Sequence, residues 1–88
     1  MSDRIPRIRA ALQRHLDTDE IQIRDESHLH AGHAGAQTGL GHFHVTIRSI
    51  AFDGLTPIKR HRLVYEAMGD LMQTDVHALS IRALGSQE

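Results

Sequence analysis

Residues 42 to 48, His-Phe-His-Val-Thr-Ile-Arg, alternate strictly between polar and apolar side chains, the period of a β-strand with one wet face and one dry face. Phe43, Val45 and Ile47 therefore need a cover, and a chain of 88 residues must supply it from few elements. Both flanks offer that cover as helices. Ile5, Ile8, Leu12 and Leu16 recur at intervals of three and four, with Ser2 or Asp3 as the cap and Pro6 early enough for its missing N–H to be harmless. A second helix opens at Thr56-Pro57, an N-cap followed by a first helical residue. Its apolar face is built from Ile58, Leu63, Val64, Met68, Leu71 and Met72, and it weakens near Gly69 and ends around Gln73 to Asp75.

Two further strands complete the pattern. Ile21 to Asp25 alternates apolar and polar, and Leu79, Ile81 and Ala83 alternate with Ser80 and Arg82 before the polar tail 85 to 88. The order αββαβ predicts an α+β domain in which a right-handed crossover makes the third strand parallel to the second and antiparallel to the first. Both helices then cover one sheet face. Between the first two strands, residues 27 to 41 hold four glycines and no sustained period, which reads as a long connection. No internal repeat or linker interrupts the chain, so one domain spanning residues 1–88 is expected.

Composition narrows the chemistry. There is no cysteine, hence no disulfide framework and no thiol nucleophile, and no serine or threonine stands in a glycine-flanked strand-to-helix elbow. Asp19-Glu20 and Asp25-Glu26 are adjacent pairs whose side chains point apart in extended chain, so neither is set up to share a proton. An enzyme is not expected. Apolar runs are two or three residues long and the first ten residues are charged, so neither a membrane span nor a signal peptide is expected, and the cytoplasm is the expected compartment. A net charge of −1 argues against a general polyanion binder, although Arg4, Arg7, Arg9 and Arg14 form one basic stretch and Lys59, Arg60 and Arg62 another.

Histidine is the outlier, with eight residues, five of them at positions 28, 30, 33, 42 and 44. Neutral imidazole is the commonest metal ligand, and His28, His30 and His33 lie in the glycine-rich connection. Three imidazoles without thiolate or carboxylate are a low-specificity pattern, however, so a self-contained zinc site is disfavoured. His15 and His61 read as solvated helix positions, and His42 and His44 as exposed residues of the wet strand face. His77 follows Val76 between the second helix and the third strand, where its side chain can emerge near the long connection or hydrogen-bond its backbone. Gly32-His33-Ala34-Gly35 matches a phosphate-clamping Gly-x-x-Gly only literally, since that loop joins two helices and this one joins two strands.

Several separated blocks occur in order: Asp25-Glu26-Ser27-His28-Leu29-His30-Ala31-Gly32-His33, Gly41-His42-Phe43, Phe52-Asp53-Gly54, Arg60-His61-Arg62-Leu63-Val64-Tyr65 and Val76-His77-Ala78-Leu79-Ser80-Ile81. Together they resemble the BolA-like family across nearly the whole chain. The resemblance implies a three-stranded mixed sheet with helices on one face, akin to the KH fold of the second type. It also implies a heterodimer with a monothiol glutaredoxin around a shared [2Fe–2S] cluster, and a part in cluster trafficking and iron homeostasis. The family's C-terminal ligand histidine matches His77, and its loop ligand best matches His30, with His28 and His33 close by. The partner's cysteine and a glutathione thiol complete the set, and the isolated chain is expected to carry no cluster.

The expected cluster suits a chain without thiolates, because two imidazoles can hold one iron if another molecule supplies sulfur for the second. Such ligation raises the potential, and because the ligand nitrogens must be unprotonated, acid should detach the cluster as pH falls towards ~6.5 and below. Some members of the family are linked to transcription. The alternative expectation is thus a DNA-binding regulator of morphology or stress genes that uses Lys59, Arg60 and Arg62 against phosphates. A third is a module that docks proteins through the second helix and third strand without metal. Whether the cluster-free chain forms a homodimer is left open.

Overall fold

A computed structural model describes residues 3–27 and 41–88. In chain order its elements are α1 (Arg4–Leu16), β1 (Ile21–Asp25), β2 (Gly41–Arg48), a 3-10 turn (Ile50–Phe52), α2 (Pro57–Met68), α3 (Leu71–Thr74) and β3 (Val76–Leu84). The sheet runs β1-β2-β3, with β1 antiparallel and β3 parallel to β2, as a right-handed crossover requires. The α+β fold expected from the sequence is present.

Alternation along β2 positions everything else. Phe43, Val45 and Ile47 are buried beneath the helices, while His42, His44, Thr46 and Arg48 lie half-exposed on the opposite face. Ile8, Leu12 and Leu16 of α1 and Val64, Ala67 and Met68 of α2 close over them, with Phe52 fully enclosed. Burial of such side chains contributes about 1.5–3 kcal/mol each. Among the described residues no helix packs on the other sheet face.

Several local expectations need correction. Asp3 stands at the α1 N-cap without a side-chain capping bond, its carboxylate instead lying 3.5 Å from Arg7; Ser2 is outside the described residues. The second helix ends outright at Gly69, whose φ of 55° and ψ of −132° lie where side chains clash, and a separate short turn, α3, follows. Ile58, expected on the buried stripe, is 65% exposed, and the helix buries Val64, Ala67 and Met68 from its later turns instead. The third strand starts at Val76 rather than Leu79, since pairing with Gly41 extends the parallel ladder. At the start of α2 the reading holds, with Thr56 Oγ1 accepting the Lys59 N–H at 3.3 Å.

Candidate functional site

His77 is the second residue of β3, not a junction residue. Gly41 pairs with Val76 but His42 pairs with Ala78, so one extra residue, His77, is accommodated by a bulge. The bulge breaks the alternation and leaves His77 exposed at the sheet end, with its ring centroid 5.1 Å from that of His42 and tilted by 46°. His42, read from alternation as an exposed strand residue without a role, is thus half-buried against His77. Only the register shift brings the two rings together, and nothing in the strand period announces it.

The same end of the sheet holds both attachment points of the histidine-rich connection. Ser27 Oγ accepts the His42 N–H at 3.0 Å, the Glu26 N–H reaches His42 O at 2.8 Å, and Ser27 N–H closes a turn onto Asp25 at 2.9 Å. Gly41 N–H donates to Asp75 O at 3.0 Å, tying the far end of the connection to the residue before Val76. A Cβ on Gly41 would stand 2.5 Å from Phe43 Cε2 and 3.0 Å from Ser27 Oγ, so this crossing admits glycine alone. His28, His30 and His33 lie outside the described residues. Among the described residues no group of three His, Cys, Asp or Glu is placed to hold a metal ion. His42 and His77 are the two imidazoles that the described residues bring together at this end of the sheet.

Behind His77 stands a buried carboxylate that sequence reading missed. Asp75, 6% exposed at its side chain, pairs with Arg7 and with Arg4 Nε at 3.4 Å, and accepts the Thr74 hydroxyl. Arg4 and Arg7 had counted as part of a surface basic stretch. In the fold they are internal counter-ions of the turn leading into β3, and Arg9 donates to Ile21 O at 2.7 Å. The missed signal was a lone acid one residue before Val76, opposite basic positions one helical turn apart.

The second basic block divides. Lys59 and Arg62 are exposed on α2, but Arg60 is only 14% exposed at its side chain. Its guanidinium donates to Leu55 O at 3.0 Å and Ala83 O at 3.1 Å, and grips the Glu88 carboxylate with two bonds of 2.7 Å. That grip holds the Glu88 carboxyl down at about 2, aided by a backbone bond from Gly85, and raises the guanidinium in turn. Asp53 is lowered by hydrogen bonds from the Ser86 hydroxyl and N–H. Arg60 is thus a structural clamp on residues 85 to 88, whereas Lys59 and Arg62 form no ion pair among the described residues. No helix among the described residues is long and apolar enough to cross a membrane.

Comparison with known proteins agrees with this architecture. Residues 12–88 match the BolA family, described as BolA-like protein. The chain is 43% identical over 84 residues to "Protein BOLA1, chloroplastic" of Arabidopsis thaliana, covering 92% of this chain and 52% of that one. It is likewise 43% identical over 82 residues to "SufE-like protein 1, chloroplastic/mitochondrial" of the same plant, covering 88% of this chain and 22% of the relative. The chain thus spans about half of one relative and about a fifth of the other. The solved structure of BolA1 from Arabidopsis thaliana superposes with a TM-score of 0.82 at 38% identity, covering 100% of this chain and 98% of that one. By fold, by matched residues and by identity over most of its length, the chain belongs to the BolA-like family.

Proposed function

We propose that this chain is a non-enzymatic iron–sulfur partner protein, which pairs with a monothiol glutaredoxin and co-ligates a [2Fe–2S] cluster in cluster trafficking and iron homeostasis. The observation that carries this reading is the bulge at His77. It presents one imidazole at the sheet end where both anchors of the histidine-rich connection, Ser27 and Gly41, are hydrogen-bonded. His77 is the first ligand in this reading and His30 the second, with His28 and His33 as neighbours able to replace it. His30 is three residues from Ser27, so about 10–11 Å of extended chain is the most that separates them. His42 backs the His77 ring and restricts its orientation, as outer-shell groups do for metal-bound imidazoles. The cluster, when bound, supplies a redox-active and transferable iron–sulfur unit. This chain's part is to offer imidazole nitrogens and to leave the sulfur ligands to the glutaredoxin cysteine and glutathione.

The test is reconstitution of the chain with a monothiol glutaredoxin, glutathione, iron and sulfide, followed by visible absorption and circular dichroism. The parent chain should give a coloured heterodimer. His77→Ala should abolish or severely reduce cluster retention, and among His28→Ala, His30→Ala and His33→Ala the His30 variant should be the most impaired. If His77→Ala retains the full cluster spectrum in the heterodimer, the reading fails.

A further inference from the structure

We infer that the open face of the sheet binds a small phosphorylated molecule, in a depression between Arg24 of β1 and Arg82 of β3, independently of any cluster chemistry. Gln22, Arg24, His44, Thr46 and Arg82 line one depression of about 300 Å³ on the face that no described helix covers. The register explains why. Gln22 pairs with Thr46 and Thr46 with Arg82, while Arg24 pairs with His44 and His44 with Ser80. All these side chains share one face by strand alternation. Neighbouring strands are ~4.8 Å apart, so the two arginines rise from backbones about 10 Å or slightly more apart, with His44 and Thr46 forming the floor. A tetrahedral phosphate over that floor is within reach of both guanidiniums.

The charge is one-sided. Among the described residues no carboxylate lines the depression, and Glu26 stands 3.7 Å from Arg24, whose side chain is 68% exposed. Such a loose, solvated pair is readily exchanged for a phosphate that takes two parallel guanidinium bonds. Arg82 has no ion pair among the described residues. By contrast, the face's remaining arginine, Arg48, is engaged by Glu20 at 3.1 Å and by the Glu88 carbonyl. The Thr46 hydroxyl, the Gln22 amide and one N–H of His44 add neutral donors between the cations.

The occupant follows from what the face lacks. Of three aromatic residues in the chain, Phe43 and Phe52 are buried in the core and Tyr65 is on α2. Among the described residues the open face thus carries no Phe, Tyr or Trp, and His44 alone is a poor platform for the successive stacked bases of a single strand. Recognition then rests chiefly on phosphate oxygens, and the spacing of the two arginines suits one or two phosphoryl groups.

Titration of inorganic pyrophosphate into the full chain at ionic strength held constant with sodium chloride, read by amide and arginine Nε–H NMR signals, tests this. Saturable shifts centred on Gln22, Arg24, His44, Thr46 and Arg82 are expected. Arg24→Gln and Arg82→Gln should each weaken binding about tenfold, the share of one charge-assisted contact, and Arg62→Gln on α2 should leave it unchanged. Both sheet arginines are exposed, and unchanged thermal unfolding would show the variants folded. Linear drift without saturation, or an Arg82→Gln chain that titrates like the parent, overturns the site. So does an oligothymidylate strand that displaces pyrophosphate from this face with a steep salt dependence, since the ligand would then be a nucleic acid.

Discussion

Asp75 illustrates how much one residue holds here. Its carboxylate joins two arginines of α1 to the turn before β3, and its backbone carbonyl receives Gly41 at the start of β2. Three elements thus meet beside His77 through a single side chain and its own peptide. Replacing it by alanine would leave Arg4 and Arg7 facing a site closed to much of the solvent. Because both cations keep partial exposure, the loss should be below that of a fully enclosed pair, about 1–3 kcal/mol in urea unfolding, and Asp75→Asn should lose less. Ser49 plays a similar part in the other half of the molecule. It is 4% exposed, donates to Leu16 O at 2.7 Å and accepts Ala51 N–H at 3.0 Å, ending α1 and starting the 3-10 turn with one hydroxyl. Nothing in the sequence marked either residue as buried. Their burial depends on partners 33 and 68 to 71 positions away, which no local period encodes.

Among the elements, the bulge in β3 and the strap at residues 85 to 88 matter most. The bulge leaves the His77 side chain exposed at the sheet end, because one unpaired residue breaks the side-chain alternation expected at that point. The strap is held by Arg60, Arg48 and Asp53, and it fastens the end of β3 to α2 and the 3-10 turn. Its charge chemistry is testable. The Glu88 carboxyl sits at about 2 in the folded chain against 4.5 ordinarily, chiefly because Arg60 bonds it. A group lowered on folding stabilises the fold fully above its unfolded value and ceases to do so as pH falls through its folded value. Urea midpoints followed from neutral pH to pH ~2 should therefore fall more steeply for the parent than for Glu88→Gln between about 4.5 and about 2. Parallel curves would show that the bidentate pair does not persist in solution. The strap also explains why Arg60 differs from its neighbours Lys59 and Arg62, although the three look alike in a charge count.

At the scale of the whole molecule, two helices over one face of three strands make a one-sided sandwich whose core passes through Phe43 and Phe52. Phe52 is fully enclosed, so Phe52→Ala should cost about 3–5 kcal/mol in equilibrium unfolding, a large part of the 5–15 kcal/mol typical of a whole domain. The opposite face of the sheet, on which no described helix packs, is the surface on which His42, His44, Arg24 and Arg82 are displayed. Element order, strand direction, the buried alternation of β2 and the Thr56-Pro57 start of α2 were legible in the residues, because periodicity and capping are local properties written within a few positions. The place of His77 near the long connection was legible in the sequence, its expected ligand role came only through the family resemblance, and its pairing with His42 was not legible at all. The weak point at Gly69 was legible as a local helix stop, but the exposure of Ile58, the burial of Asp75 and the capture of Arg60 by Glu88 were decided by tertiary structure alone. Each depends on which distant groups the closed sheet brings within a few ångströms, and a one-dimensional pattern carries no record of that distance.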